Sequence, residues 1–99
     1  MNEIQRLKNF TNEYNWKEGN NSFNDQVVYE FNNGYGASVV SGQHTYGGNE
    51  GLLELAVLKQ GRLCYSTEIT NDVIGHLEAE EAMKILERIK SLPNFNKSE

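Results

Sequence analysis

Apolar residues recur at a spacing of two through residues 26–68 and at three to four through 77–92, which predicts a sheet followed by a helix. In QVVYEFNNGYGASVV, two apolar runs flank Asn32, Asn33 and Gly34. A two-residue turn at Asn33 and Gly34 would pair Phe31 with Gly36 and mix bulky with empty positions on one face. A three-residue loop, 32–34, with Gly34 left-handed as in a G1 bulge, instead pairs Phe31 with Tyr35, Tyr29 with Ala37 and Val27 with Val39. That register gathers all six on one side, so the pattern favours it. GLLELAVLKQGRLCYST repeats the solution with a loop of Lys59, Gln60 and a left-handed Gly61. Leu58 then opposes Arg62, Val57 opposes Leu63, Leu55 opposes Tyr65 and Leu53 opposes Thr67. One face holds Leu53, Leu55, Val57, Leu63 and Tyr65; the other holds Glu54, Ala56, Arg62 and Cys64, with Leu58 as an apolar residue among polar ones.

The cover for the oily face follows in sequence. Ala82, Ile85, Leu86 and Ile89 form an i, i+3, i+4, i+7 stripe within 77–92. Glu78, Glu80 and Glu81 suit the positive N-terminal end of that helix, Lys84, Arg88 and Lys90 its negative end, and Glu80 with Lys84 makes an i, i+4 pair. Pro93 stops it, leaving 93–99 as a tail. At the other end of the chain, Ile4, Leu7, Phe10 and Tyr14 with Asn2 as N-cap predict a short helix over 3–14, with an extended segment as the alternative. NWKEGNNSFND is polar and reads as a loop. In TEITNDVIGHL, 67–77, Thr70, Asn71 and Asp72 are capping and turn residues, and Gly75 suits the C-cap of one helical turn. The expected architecture is α+β in one small domain, 1–99: a variable N-terminal segment over 1–25 (short helix or extended), a four-stranded antiparallel β-meander over 26–68, and a C-terminal helix packed on one face.

Size and charge narrow the function. Ninety-nine residues leave little surplus stability for a strained catalytic centre, which favours simple binding. Nine Lys and Arg against fourteen Asp and Glu give a net charge of −5, with the deficit spread over both halves. No cationic cluster is available for phosphate contacts, which argues against direct nucleic-acid binding. No apolar run approaches a membrane span, and the start, MNEIQRLKNF, has no apolar leader region. One cysteine, Cys64, allows no internal disulfide, and no His/Cys spacing suggests a metal, so a reducing cytoplasm is expected and no cofactor is.

Six of the nine glycines lie in FNNGYGASVVSGQHTYGGNEG, residues 31–51. Gly34 serves a turn, and Gly36 relieves crowding beside an aromatic residue; GYG matches neither a dinucleotide nor a P-loop pattern. HTYGGNEG, 44–51, exceeds what a tight hairpin needs, and long loops carry function more often than short ones. His44, Tyr46 and Glu50 there are the candidate partner-binding residues, Tyr46 as an amphipathic aromatic anchor, with Asp72 as an outlier. Ser38 or Ser41 with His44 lacks an orienting acid and an elbow, and Cys64 with His76 is no better placed, so no catalytic residue is assigned.

FNNGYGASVV, YGGNEGLLELAVL, YSTEITNDVIGHL and a closing helix ending ERIKSLP, taken in order, resemble a group of small uncharacterised proteins encoded by tailed phages and prophages. The likeness spans roughly 29–93. It implies a viral setting and carries no catalytic residue. The expected function is a non-enzymatic phage protein that occupies a surface of a host protein in the host cytoplasm, inhibition of a defence system such as CRISPR being its sharpest form. The alternative is a self-associating virion or replication accessory, joined through the meander edge or through Leu58 and Val40.

Overall fold

Tyr29, Val27, Ala37, Val39, Leu53, Leu55 and Val57 point to one side of an antiparallel sheet and are sealed there by two helices. The computed structural model describes residues 3–19, 25–41, 52–60, 62–63 and 74–93. Within them the order is α1 (Glu3–Phe10), β1 (Trp16–Glu18), β2 (Asp25–Glu30), β3 (Tyr35–Ser41), β4 (Leu53–Lys59), β5 (Arg62–Leu63), β6 (Ile74–Leu77) and α2 (Ala79–Lys90). The sheet runs β1-β2-β3-β4-β5, and β6 shares with β5 the edge of β4 that β3 leaves free. The α+β class with a C-terminal helix over an antiparallel sheet stands as expected; the sheet is five strands wide among the described residues, not four.

The first hairpin has the expected register. Val27 opposes Val39 and Tyr29 opposes Ala37, Phe31 N–H donates to the Tyr35 carbonyl at 2.9 Å, and Gly34 is left-handed at φ 90°. Glycine at 36 is required by close approach: a Cβ there would overlap the Tyr29 carbonyl oxygen on the neighbouring strand.

The second hairpin departs from expectation. Lys59 opposes Arg62 and Leu58 opposes Leu63, so the turn has two residues, and the left-handed position is Gln60 at φ 52°. Gly61, expected to take that role, lies outside the described residues. Leu53 and Leu55 pair with Leu77 and Ile74 of β6 instead of Thr67 and Tyr65. Residues 70–73 of the expected helical turn lie outside the described residues, and Ile74–Leu77, which includes the Gly75 expected to cap it, is therefore strand. Its register slips between Leu53 and Leu55, a bulge in which His76 takes the left-handed conformation at φ 59°.

α1 is helical as expected but ends at Phe10, short of 14, and Asn2 lies outside the described residues. Ile4 and Leu7 are buried while Phe10 is 41% exposed, so the apolar stripe is two residues long. Polar NWKEG, expected as a loop, supplies β1, whose Trp16 opposes Tyr29. Thr11, fully buried where α1 ends, links the two: its Oγ1 donates to the Leu7 carbonyl at 2.7 Å, so the Tyr29 hydroxyl must donate to Thr11 Oγ1, 2.8 Å away. The Trp16 indole N–H donates to the Thr11 carbonyl at 2.9 Å. Burial pushes the Tyr29 phenol up to about 12.

Both ends of α2 are held by distant residues. At its start, Ala79 N–H donates to Glu3 Oε1 at 2.7 Å, and Glu78 N–H donates to Glu81 Oε1 at 2.9 Å. Arg6 bridges Glu3 and Glu80, so Glu80 pairs across the helices and not along its own helix with Lys84. At the far end the Asn33 amide nitrogen donates to the carbonyls of Ile89, Lys90 and Leu92 at 2.8, 3.2 and 3.0 Å, while its oxygen accepts from Tyr35 N–H at 3.0 Å. These opposite demands fix which way the amide points.

Asn33→Ala is expected to lower stability by about 2 kcal/mol, because buried helix-end carbonyls lose their donor. Asn33→Asp should be at least as damaging, since it sets a charge against the negative end of α2. Urea unfolding of the three proteins checks that order. Glu3 provides a pH test. The Ala79 N–H and then Arg6, against the opposing effect of burial, hold its carboxyl below the usual glutamate range. Its contribution is therefore present above that range and is lost as pH falls through it. Wild type should lose more unfolding midpoint than Glu3→Gln between about pH 6 and pH 3.

Candidate functional site

The expected partner-binding residues His44, Tyr46, Glu50 and Asp72 all lie outside the described residues. Cys64 lies outside them too; His76 is exposed on β6. A concavity lies elsewhere, where the β2–β3 turn meets the end of α2 and the 13–15 segment. It is open, about 530 Å³ in volume.

Three elements build it. The turn places Glu30, Phe31 and Asn32 on one wall, and Glu30 N–H donates to the Asn15 carbonyl at 3.0 Å, fixing the opposite wall against it. That wall carries Glu13 and Tyr14, while the end of α2 supplies Lys90 and Leu92. Tyr14 meets Tyr29 edge-on at 6.1 Å between ring centroids and Phe31 edge-on at 5.9 Å; Tyr29 and Phe31 lie nearly parallel at 6.2 Å. The aromatic wall thus continues into the core through Tyr29, which keeps its rings from collapsing into the cleft.

The electrostatics are mixed. The Lys90 ammonium sits 4.3 Å from the Tyr14 ring centroid, on the electron-rich face. Partial burial, and secondarily the Glu87 charge, push the Tyr14 phenol upward, so it stays neutral near physiological pH. Glu13 and Glu30 have exposed side chains and carry no ion pair among the described residues. The carbonyl end of α2 adds partial negative charge. Among the described residues no three His, Cys, Asp or Glu side chains gather as a metal-binding group.

Sequence reasoning placed Tyr14 and Phe31 on apolar faces but did not join them. The turn loop and the polar 13–15 segment are 15 or more residues apart, and long-range contacts, Glu30 with Asn15 and Asn33 with α2, bring the three walls together. The outer face of the sheet holds a second, smaller depression of about 180 Å³ over Gly36, lined by Lys17, Val28 and Leu58. Leu58, expected as an apolar residue on a polar face, is 8% exposed there. No helix among the described residues is long and apolar enough to cross a membrane. Comparison with protein-family models, with curated proteins and with solved structures finds no match to the chain.

The Tyr14 ring, not its hydroxyl, builds the wall. Tyr14→Phe should leave stability within about 0.5 kcal/mol of wild type, whereas Tyr14→Ala should cost about 2 kcal/mol through lost ring contacts. Denaturant midpoints of the two variants measure the difference.

Proposed function

We propose that this chain is a non-enzymatic binding protein of a phage or prophage that occupies a surface of a host protein in the host cytoplasm, with inhibition of a defence system such as CRISPR as its sharpest form. The observation that supports binding is the open cleft, whose aromatic wall is braced from within by Tyr29 and whose lining includes Glu13, exposed and without an ion pair among the described residues. Aromatic residues held rigid at a surface concavity are the kind that dominate interface energetics. The viral setting rests on the sequence resemblance. A second reading, self-association as an accessory protein, draws on the outer sheet face, where Val28, Val40 and Ala56 are half-buried beside Leu58.

Quantitative capture from a bacterial host lysate tests the first reading. Wild type should retain a protein in near-stoichiometric amount that the rim variant Glu13→Arg, Asn32→Arg loses at least about tenfold, both positions being exposed. Equal recovery by that variant together with loss by Tyr46→Ala, Glu50→Ala moves the interface to the 44–51 stretch. No retained protein, with a mass by light scattering that rises with concentration, favours the second reading.

A further inference from the structure

We propose that Asn33 is a site of spontaneous covalent modification, deamidation through a cyclic imide, and that the hydrogen bonds holding the end of α2 control its rate. Of all the asparagines in the chain, Asn33 alone is followed by glycine. A glycine backbone nitrogen has no Cβ beside it to obstruct attack on the preceding side chain. The Gly34 nitrogen, on losing its proton to hydroxide, bonds to Asn33 Cγ. The Cγ–Nδ2 bond breaks, and that nitrogen takes a proton from water and leaves as ammonia. Water then opens the ring at Cγ, leaving aspartate, or at the Asn33 main-chain carbonyl carbon, leaving isoaspartate.

The closed protein opposes this reaction. Asn33 is 8% exposed, its nitrogen donates to the carbonyls of Ile89, Lys90 and Leu92, and its oxygen accepts from Tyr35 N–H. The nucleophile is engaged too, Gly34 N–H donating to the Phe31 carbonyl at 3.2 Å. Attack turns the planar Cγ tetrahedral, which takes the side-chain nitrogen and oxygen out of the directions in which these bonds hold them. Reaction therefore requires the end of α2 to lift, a local opening at a helix terminus that costs less than global unfolding. The product does not close again. A carboxylate has no N–H for the three carbonyls and sets a charge against the negative end of α2. Isoaspartate also adds a methylene to the main chain of a turn whose length sets the hairpin register. Because the end of α2 supplies Lys90 and Leu92 to the cleft, the reaction withdraws that wall as well. Asn33 is thus a one-way switch set off by opening of the clamp.

Incubation of the full chain in mildly alkaline buffer, followed by proteolysis and mass spectrometry, measures aspartate and isoaspartate at each asparagine. In unfolding urea, position 33 should convert faster than any other; in buffer it should convert at least about tenfold more slowly than in urea. In graded urea below the global transition, its rate should rise before the fluorescence signal of unfolding does, because the opening is local. Leu92→Ala weakens the packing of the α2 end without touching the reacting atoms, and should speed conversion at 33 at least about threefold while leaving the other asparagines unchanged. The converted protein, separated by its extra negative charge, should lose hydrogen-exchange protection at residues 89–92. Conversion at 33 in urea but none in buffer, a rate that follows only global unfolding, equal rates in wild type and Leu92→Ala, or a converted protein that keeps wild-type protection at the end of α2 overturns the proposal. If Leu92→Ala does not fold, the wild-type urea series and the exchange measurement decide.

Discussion

One carboxamide, that of Asn33, joins the two layers of this protein. Its nitrogen satisfies carbonyls at the end of α2 and its oxygen satisfies the first amide of β3, so a hairpin turn and a helix terminus complete each other's hydrogen bonding. Each partner alone would present polar backbone to a buried corner, at a cost of about 1–3 kcal/mol per unsatisfied group. Glu3 performs the matching task at the start of α2, accepting from Ala79 N–H while Arg6 ties it to Glu80. Held at both termini, α2 presents Ala79, Ala82, Leu86 and Ile89 to the sheet with little freedom to roll.

The clamp also accounts for the cleft. The end of α2 is drawn over the turn by Asn33, and the adjoining residues, Lys90 on the helix and Phe31 just after β2, both line the open space. Thr11 does comparable work on the opposite wall. By bonding the Tyr29 hydroxyl and accepting from the Trp16 indole, it sets the path of residues 12–15 and so the position of Tyr14. A buried threonine and tyrosine satisfy one another where an apolar pair would have left the chain free to drift.

What was legible in the sequence was whatever one local rule controls. Gly34 and the alternation around it specify the first hairpin, because a slip of one residue would turn Val27, Tyr29 and Val39 to solvent. The α2 stripe was equally clear. β1 was not, since a three-residue edge strand needs only backbone partners, and Lys17 and Glu18 give no apolar alternation. The second hairpin went astray because Gln60 takes the left-handed conformation in a two-residue turn, whereas glycine at 61 had argued for three. β6 was obscured in the same way by His76, a non-glycine residue in the conformation that Gly75 was expected to adopt. Asn33 read as a turn residue, and its second task, reaching a helix 56 residues later, has no local signature. The cleft depends on that contact and was illegible for the same reason.

The span of these clamps has a consequence for biogenesis. Glu3 meets a residue 76 positions downstream, and Asn33 meets one 56 positions downstream, so both closures wait on the last described element to be synthesised. Until α2 emerges, the nascent strands lack one of the two helices that cover their apolar side, and this interval is when the polypeptide is most open to chaperone capture or coaggregation.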